Sequence, residues 1–516
     1  MRRAVSVLVA ALVILGLAAP QALAQQAAAP APKVTISGLV DFVTTMFSNL
    51  RDNDITSRGD EGWYSRERGV FTITGEIGRS KGVLALELDV TNGFVGGSPP
   101  SGVGTTGGAG TPGVTGSLDL DTDVTGIPEV KWLYVETPIT GAGSLMPFIP
   151  VSSIGRFGGQ PARGHDYKPG IHFSGDFPGV TIETTWAPNL RSTITFAQIG
   201  EALDRITAAS SDDWAILASF EFDVFKGLTV KPTVSYARFD GGNAGTSNLG
   251  TEPKGGFSTN TAGGTGLSTS RWTFGGDVRW TSGPFSLQPT LLFQLGEQET
   301  IPASAGGKSS VDIRSWILDV IGGFRTGPLT LELRFAWTPG MKARECVQTV
   351  SGVCAGGSDI EYYQPINSGF VYQAGWSEIQ TSGIDYNLVH HGGGGATGLR
   401  LGQSPSYDKY GRITAAAALD YALTPALVFH LVTNWMWTDE KVDTDASLGS
   451  SGLTPTGPGD HRFLGHEWNL GFTYRFAPNV AFDLLGGVLV AGDARGLAGK
   501  DPENIWKGTA RVRVTW

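Results

Sequence analysis

Few residues of this 516-residue chain have the types and spacing for chemistry. Asp119, Asp121 and Asp123 make a D-x-D-x-D ladder in a glycine-rich stretch and offer carboxylate oxygens to a calcium ion. The glycine and distal glutamate of a full calcium loop are missing from their places, so the ladder reads first as a solvated acidic loop. His390 and His391 stand beside four glycines, but neighbouring side chains of an extended chain point apart and no third metal ligand accompanies them. No Gly-x-Ser-x-Gly segment and no Ser/His/Asp grouping stands out, which argues against an enzyme, and nothing calls for a bound cofactor. The other polar residues recur at every second position of apolar runs. That spacing points to a wall with two faces.

The last stretch, Ile505 to Trp516, shows it best. Trp506, Gly508, Ala510, Val512, Val514 and Trp516 fall on one side of an extended chain, and Lys507, Thr509, Arg511, Arg513 and Thr515 on the other. A strand that is oily on one face and cationic on the other must find a neighbour for its backbone or leave an open edge. In lipid, the strand arrangement that satisfies every N–H and C=O is a closed barrel. The expected fold is therefore all-β: a transmembrane, antiparallel, up-and-down β-barrel in which this strand seals against the first.

Composition agrees. The chain has 74 Gly and 14 Trp against 2 Cys and 5 Met, with 17% charged residues, which suits strands and turns better than helices. Arg2 and Arg3, the apolar run from Ala4 to Ala19 and the small-residue site Ala22-Leu23-Ala24 follow the plan of a signal peptide over 1–24. Residues 25–33 read as a periplasmic leader, and 34–516 as one barrel domain. No other apolar run is long enough for a transmembrane helix. A net charge of −10 argues against nucleic acid as a partner. Cys346 and Cys354 lie close together in an exported chain, and a loop disulfide between them is expected.

From Val34 onward, alternating runs are separated by breaks that are in turn short and long. The short ones are Arg79-Ser80-Lys81-Gly82, Phe225-Lys226-Gly227, Ser282-Gly283-Pro284, Thr326-Gly327-Pro328, Leu423-Thr424-Pro425 and Ala477-Pro478-Asn479. The long ones cover 49–65, 95–128, 241–269, 440–465 and above all 340–408. Short periplasmic turns and long extracellular loops are how an outer-membrane barrel is strung. Strands are expected near 34–48, 66–79, 83–94, 129–137, 152–158, 179–187, 191–200, 212–224, 228–240, 270–281, 285–297, 311–325, 329–338, 410–422, 426–438, 466–476, 480–493 and 505–516. The total is about eighteen; it becomes twenty if 340–408 holds a further pair and sixteen if the fourth and fifth are not strands.

Parity then assigns faces. Phe274, Leu291 and Val512 turn to lipid. Trp272, Trp316, Trp337, Trp435, Trp437, Trp468 and Trp506 fall near the loop end on the same face, with Trp280 and Trp516 near the turn end. Two aromatic girdles are what the two membrane interfaces select. Inward bases are Arg156, Lys231, Arg271, Arg279, Arg325, Arg334, Arg412, Arg475, Lys507, Arg511 and Arg513. Inward acids are Glu76, Glu87, Asp89, Glu183, Glu221, Asp223, Asp277, Asp319, Glu332, Asp420, Glu467 and Asp483. Arg475, Arg511 and Arg513 are expected on one arc and Glu87, Asp89, Glu221 and Asp223 on another. They read either as a transverse field acting on dipolar solutes or as cross-strand ion pairs. His430 reads as a lone wall residue facing the lumen.

Segment 340–408 carries Tyr362, Tyr363, Phe370, Tyr372, Trp376 and Tyr386 among few charges, which is not the make-up of a disordered tail. It is the candidate for a loop folded into the bore that narrows it.

On the signal peptide, the closing strand ending at Trp516 and the run Ile154-Gly155-Arg156-Phe157-Gly158-Gly159-Gln160, the chain resembles the Gram-negative outer-membrane porins. About eighteen strands is similar to the alginate-export and substrate-specific porins, and differs from the sixteen of the general trimeric ones. The resemblance implies passage of small hydrophilic solutes or ions through the bacterial outer membrane. Lipid and lipopolysaccharide would surround the barrel, and the barrel-assembly machinery would insert it. Export of an anionic polysaccharide, or a surface anchor without transport, stand as alternatives, and monomer and homotrimer both remain open.

Overall fold

The computed structural model describes residues 31–49, 56, 61–92, 129–201, 212–239, 269–299, 310–345, 357–366, 372–373, 375–381, 383–384, 408–445, 447–449, 452–454, 457–496 and 499–516. The expected signal peptide, the acidic ladder at Asp119, Asp121 and Asp123, both cysteines, Phe370, Tyr386 and the His390-His391 pair lie outside them.

The first nine strands are β1 (Lys33–Ser48), β2 (Gly62–Ile77), β3 (Ser80–Asn92), β4 (Glu129–Pro138), β5 (Ser152–Pro161), β6 (Asp176–Ala187), β7 (Leu190–Glu201), β8 (Asp212–Phe225) and β9 (Leu228–Phe239). Six more follow: β10 (Thr269–Ser282), β11 (Phe285–Glu299), β12 (Ser310–Thr326), β13 (Leu329–Thr338), β14 (Arg412–Thr424) and β15 (Leu427–Val442). The last are β16 (Ser447–Gly449), β17 (Gly452–Thr454), β18 (His461–Ala477), β19 (Val480–Ala491) and β20 (Ile505–Thr515). Eighteen of these form one sheet, and β16 with β17 form a separate ribbon in the loop after β15.

The sheet closes on itself. β1 pairs antiparallel with β2 and also with β20, from Leu39 opposite Thr515 to Ser48 opposite Trp506. Gly38 and Trp516 exchange backbone hydrogen bonds of 3.1 Å each way. A Cβ at Gly38 would come within 2.9 Å of the Trp516 ring, so this glycine lets the final side chain lie across the seam. Each of the eighteen strands thus has a paired neighbour on both sides.

Turns of two residues join the strands at 78–79, 188–189, 226–227, 283–284, 327–328, 425–426 and 478–479. Gly78, Gly227, Gly283 and Gly327 adopt φ of 60°, 93°, 56° and 52°, the left-handed region that tight hairpins need. The first turn lies at Gly78-Arg79, upstream of the Arg79–Gly82 expected, because Gly78 supplies the positive φ and pairing resumes at Ser80.

Phe274, Leu291 and Val512 are 42%, 39% and 37% exposed, while their neighbours Thr273 and Thr290 are buried on the opposite face. Large apolar side chains thus cover the outer face. At the loop end of that face the aromatics touch in series: Trp214 to Tyr236 at 5.5 Å, Tyr236 to Trp272 at 4.8 Å, Trp316 to Trp337 at 4.8 Å and Trp435 to Trp468 at 5.9 Å. Trp437 packs on Phe463, and Trp506 is exposed on the same face. At the turn end stand Trp186, Trp280 and Trp516, the last packed on Phe71 at 5.6 Å.

The inner face departs from simple alternation. In the loop half of β7 to β9 the inward positions Ala197, Ile199, Ala215, Leu217, Ala237 and Phe239 are apolar and buried. On β11 and β12 the same holds for Leu292, Val311, Ile313 and Ile317. Something other than water must cover them.

Candidate functional site

Two inward-folded segments supply the cover. The first is the 162–175 connection between β5 and β6; the second is made of the described residues between 357 and 384, within the long connection from β13 to β14. Phe173 and Ile366 close the apolar patch on β7 to β9, and Tyr363 and Tyr372 pack with Ile171 on Leu292 and Ile317. Tyr362 sits with Met341 and Ile360 on Val311 and Ile313. The aromatics of the long connection therefore bury apolar surface inside the barrel.

Polar groups fix the first segment strand by strand. His165 meets Thr195 at 2.8 Å, Tyr167 donates to Glu221 at 2.9 Å, and His172 meets Ser235 at 2.8 Å. Lys168 donates to Thr290 at 2.9 Å and lies 3.4 Å from Asp319. Two cations lie over the Tyr167 ring, Lys231 at 4.3 Å and Arg279 at 4.1 Å from its centroid.

The second segment crosses further. Arg271 donates to Gln364 at 2.6 Å and to the Pro365 carbonyl at 2.9 Å, and Gln294 exchanges hydrogen bonds with the Gln364 backbone. Tyr372 donates to Asp319 at 3.1 Å, beside Arg334, which donates to the same carboxylate at 2.5 and 3.2 Å. Asp319 thereby joins both segments to β12 and β13, and Tyr363 meets His172 at 2.8 Å to join them to each other. Further round the wall, Glu467 of β18 accepts the hydroxyl of Ser377 and the backbone N–H groups of Glu378, Ile379 and Gln380. Lys507 of β20 lies 3.3 Å from the Glu378 carboxylate, and Asn434 of β15 donates to the Trp376 carbonyl at 3.1 Å.

Burial shifts the segments' own ionisable groups. His165 and His172 are each pushed down to about 3, by burial first and then by the charges of Lys231 and Arg271 respectively. Asp166 is pushed up to about 7 by burial and the nearby Asp277 carboxylate, against the N–H groups of Phe173 and His172 that it accepts. Burial lowers Lys168 and raises Tyr363, Tyr372 and Glu378; for Glu378 the adjacent Lys507 opposes it.

The expected inward charges fall into two groups. Arg156, Lys231, Arg271, Asp277, Asp319, Arg334, Arg412, Glu467, Asp483, Lys507 and Glu87 are buried. Of these, Arg271, Asp319, Arg334, Glu467 and Lys507 hold the folded-in segments. Glu87 is paired with Arg68 and with Lys131 at 2.6 Å. The second group lies toward the turns: Glu76, Glu183, Glu221, Asp223, Arg279, Arg325, Glu332, Asp420, Arg475, Arg511 and Arg513. Cross-strand pairs occur in it. Arg511 is 2.7 Å from Asp483, Arg513 is paired with Asp41, and Arg191 reaches Glu221 at 2.5 Å and Asp223 at 3.4 Å. The backbone of Asp89 is paired with Arg68. His430 is not alone, being 2.7 Å from Asp420 and 3.0 Å from Thr473, which donates to Asp483 at 2.6 Å. The reading of it as a lone residue fails because parity within one strand does not reveal the partners that register places beside it.

Tyr362, Tyr363, Tyr372 and Trp376 are all buried in the second segment. The 162–175 segment was not anticipated at all. Its sign in the sequence is the unbroken apolar run Trp214-Ala215-Ile216-Leu217-Ala218, which a strand lined by water on one face would not carry. Among the described residues, Asp443, Asp445 and Asp460 bring carboxylate oxygens within 4.8 Å of one another. The Asp443 and Asp460 oxygens already accept from the loop's own backbone N–H groups, at Asp445 and Gly457 and at Thr444 respectively.

No family model matches the sequence, and no curated protein does either. Among solved structures, the chain is similar to Pseudomonas aeruginosa OpdL, with 10% identity over 94% of this chain and 99% of that one and a TM-score of 0.48. For Pseudomonas aeruginosa OccK8 (OprE) the values are 10%, 94%, 98% and 0.47. For Acinetobacter baumannii OccAB1 they are 12%, 93%, 96% and 0.46.

Proposed function

We propose that this protein is a passive channel of the bacterial outer membrane for small hydrophilic solutes or ions. The observation that carries the reading is the radial order of the wall: an apolar outer face on a sheet with no edge, and an inner face whose turn half is charged and open to water. A barrel of eighteen strands encloses more volume than its inward side chains fill. The two folded-in segments then act as the narrowing, and the paired charges below them as the surface that a solute meets. Lipid, lipopolysaccharide and the assembly machinery would be its surroundings, with turns facing the periplasm. Arg511 and Arg513, each matched to a carboxylate, give little support to export of an anionic polymer.

A barrel shut at rest, serving as a surface anchor, is favoured by one observation. Inward side chains from Arg66 through Glu87, Arg156, Asp319 and Glu467 to Lys507 are 2% exposed or less, so they have little contact with water at that level. Planar bilayers separate the two. Stepwise conductance of the refolded chain is expected, and its reversal potential in a salt gradient gives the sign of the preferred ion. A silent bilayer would overturn the channel reading in favour of the anchor.

A further inference from the structure

We propose that Glu467 is the positioning residue that sets the width of the bore, by holding the main chain of residues 377–380 of the second segment on β18, three strands round the wall from β13; the inference rests on the channel reading. Ile360 of this segment bridges to Ile313 on β12, and Gln364 is held by Arg271 and Gln294 on β10 and β11. The chain next meets Asp319 on β12 through Tyr372, and then reaches β15, β18 and β20. Its path round the inner wall, from β10 to β20, is thus fixed at its later end by what grips it on β15, β18 and β20.

The grip there is unlike the others. Glu467 takes three consecutive backbone N–H groups, from Glu378 at 2.7 Å, Ile379 at 2.9 Å and Gln380 at 2.9 Å, together with the Ser377 hydroxyl at 2.5 Å. Its side chain is fully buried. Among the described residues no lysine or arginine pairs with it, since Lys507 is engaged by Glu378. The carboxylate charge is therefore matched by main-chain dipoles and one hydroxyl, a set of charge-assisted bonds that exists only while 377–380 stays in place. Ser377 also accepts from the N–H groups of Gln380 and Thr381, which fixes the shape of the turn presented to the carboxylate. Neutralising the carboxylate removes the reason for the turn to remain buried, and an amide at that position would set N–H against N–H.

The test compares the full chain with Glu467→Gln and Glu467→Ala, refolded and checked for the compact, heat-sensitive mobility of a closed barrel. Hydrogen exchange at residues 378–380 and single-channel conductance are then read on the folded fraction. In E467Q, exchange at these amides is expected to rise roughly ten- to a hundredfold, as loss of charge-assisted bonds implies. Conductance is expected to rise about twofold or more as the narrowing relaxes. A residue that merely stabilised the wall would lower the melting temperature and leave the conductance of folded channels unchanged; that result overturns the proposal, as does wild-type exchange in folded E467Q. Should E467A not fold, the near-isosteric E467Q carries the test. If the native chain is silent while E467Q conducts and exchanges faster, the proposal holds and the resting-open channel reading fails.

Discussion

At the scale of single residues, the 162–175 segment carries a proton balance that can be worked out. His165 and His172, at about 3 when packed, would titrate near 6.5 once undocked, so between those values the undocked form binds two protons that the docked form refuses. Asp166 acts in the opposite sense, because docked it takes up its proton at about 7 and undocked only near 4. Through the middle of the window two protons oppose one. Docking of 162–175 should therefore weaken about tenfold per unit as pH falls below roughly 6, and be insensitive to pH above about 7. Asp166→Asn removes the opposing term and should steepen the fall to about a hundredfold per unit. Amide exchange across 162–175, corrected for its intrinsic pH dependence, reads both slopes; a flat profile would refute the balance.

At the scale of elements, the folded-in segments and the inner wall are made for each other. Ala215, Leu217, Ala237 and Phe239 would be poor lining for a water path, and Phe173, Phe177 and Ile366 remove them from water. Replacing 362–384 with a Gly/Ser linker of equal length should leave the barrel closed, since none of its described residues pairs with a barrel strand. The same change uncovers Leu292, Ile317 and the Asp319 site. The expected outcome is a folded barrel with higher conductance and faster passage of larger solutes in liposome swelling; unchanged conductance would remove the narrowing role while leaving the barrel standing. Most strand ends were legible to within a few residues because hairpin glycines and prolines punctuate them. The β16–β17 ribbon was not, since Ser447–Gly449 and Gly452–Thr454 are too short for alternation to register.

At the scale of the whole molecule, the proposed membrane location makes stability depend on which face meets lipid. Leu291 lies midway along β11 on the outer face, and Leu291→Arg should cost about 2–4 kcal/mol if it sits near the bilayer midplane. Asp420→Asn, on the half-exposed turn side of the inner face, should stay within about 0.5 kcal/mol. Guanidinium unfolding in lipid vesicles compares the two, and equal small effects would argue against a lipid-facing exterior.

The sequence by itself determined the eighteen barrel strands, their two faces, the closing role of Ile505 to Trp516 and the alternation of short and long connections. These follow from a period-two pattern and turn chemistry, which are local and need no knowledge of neighbours. Tertiary structure alone decided which inward charges bind segments and which meet water. It also decided that His430 has partners on other strands and that 162–175 enters the bore. Each of those depends on register and on loops folding back across many strands, and side chains such as Asp319 and Tyr372, 53 residues apart, meet only once the sheet has closed.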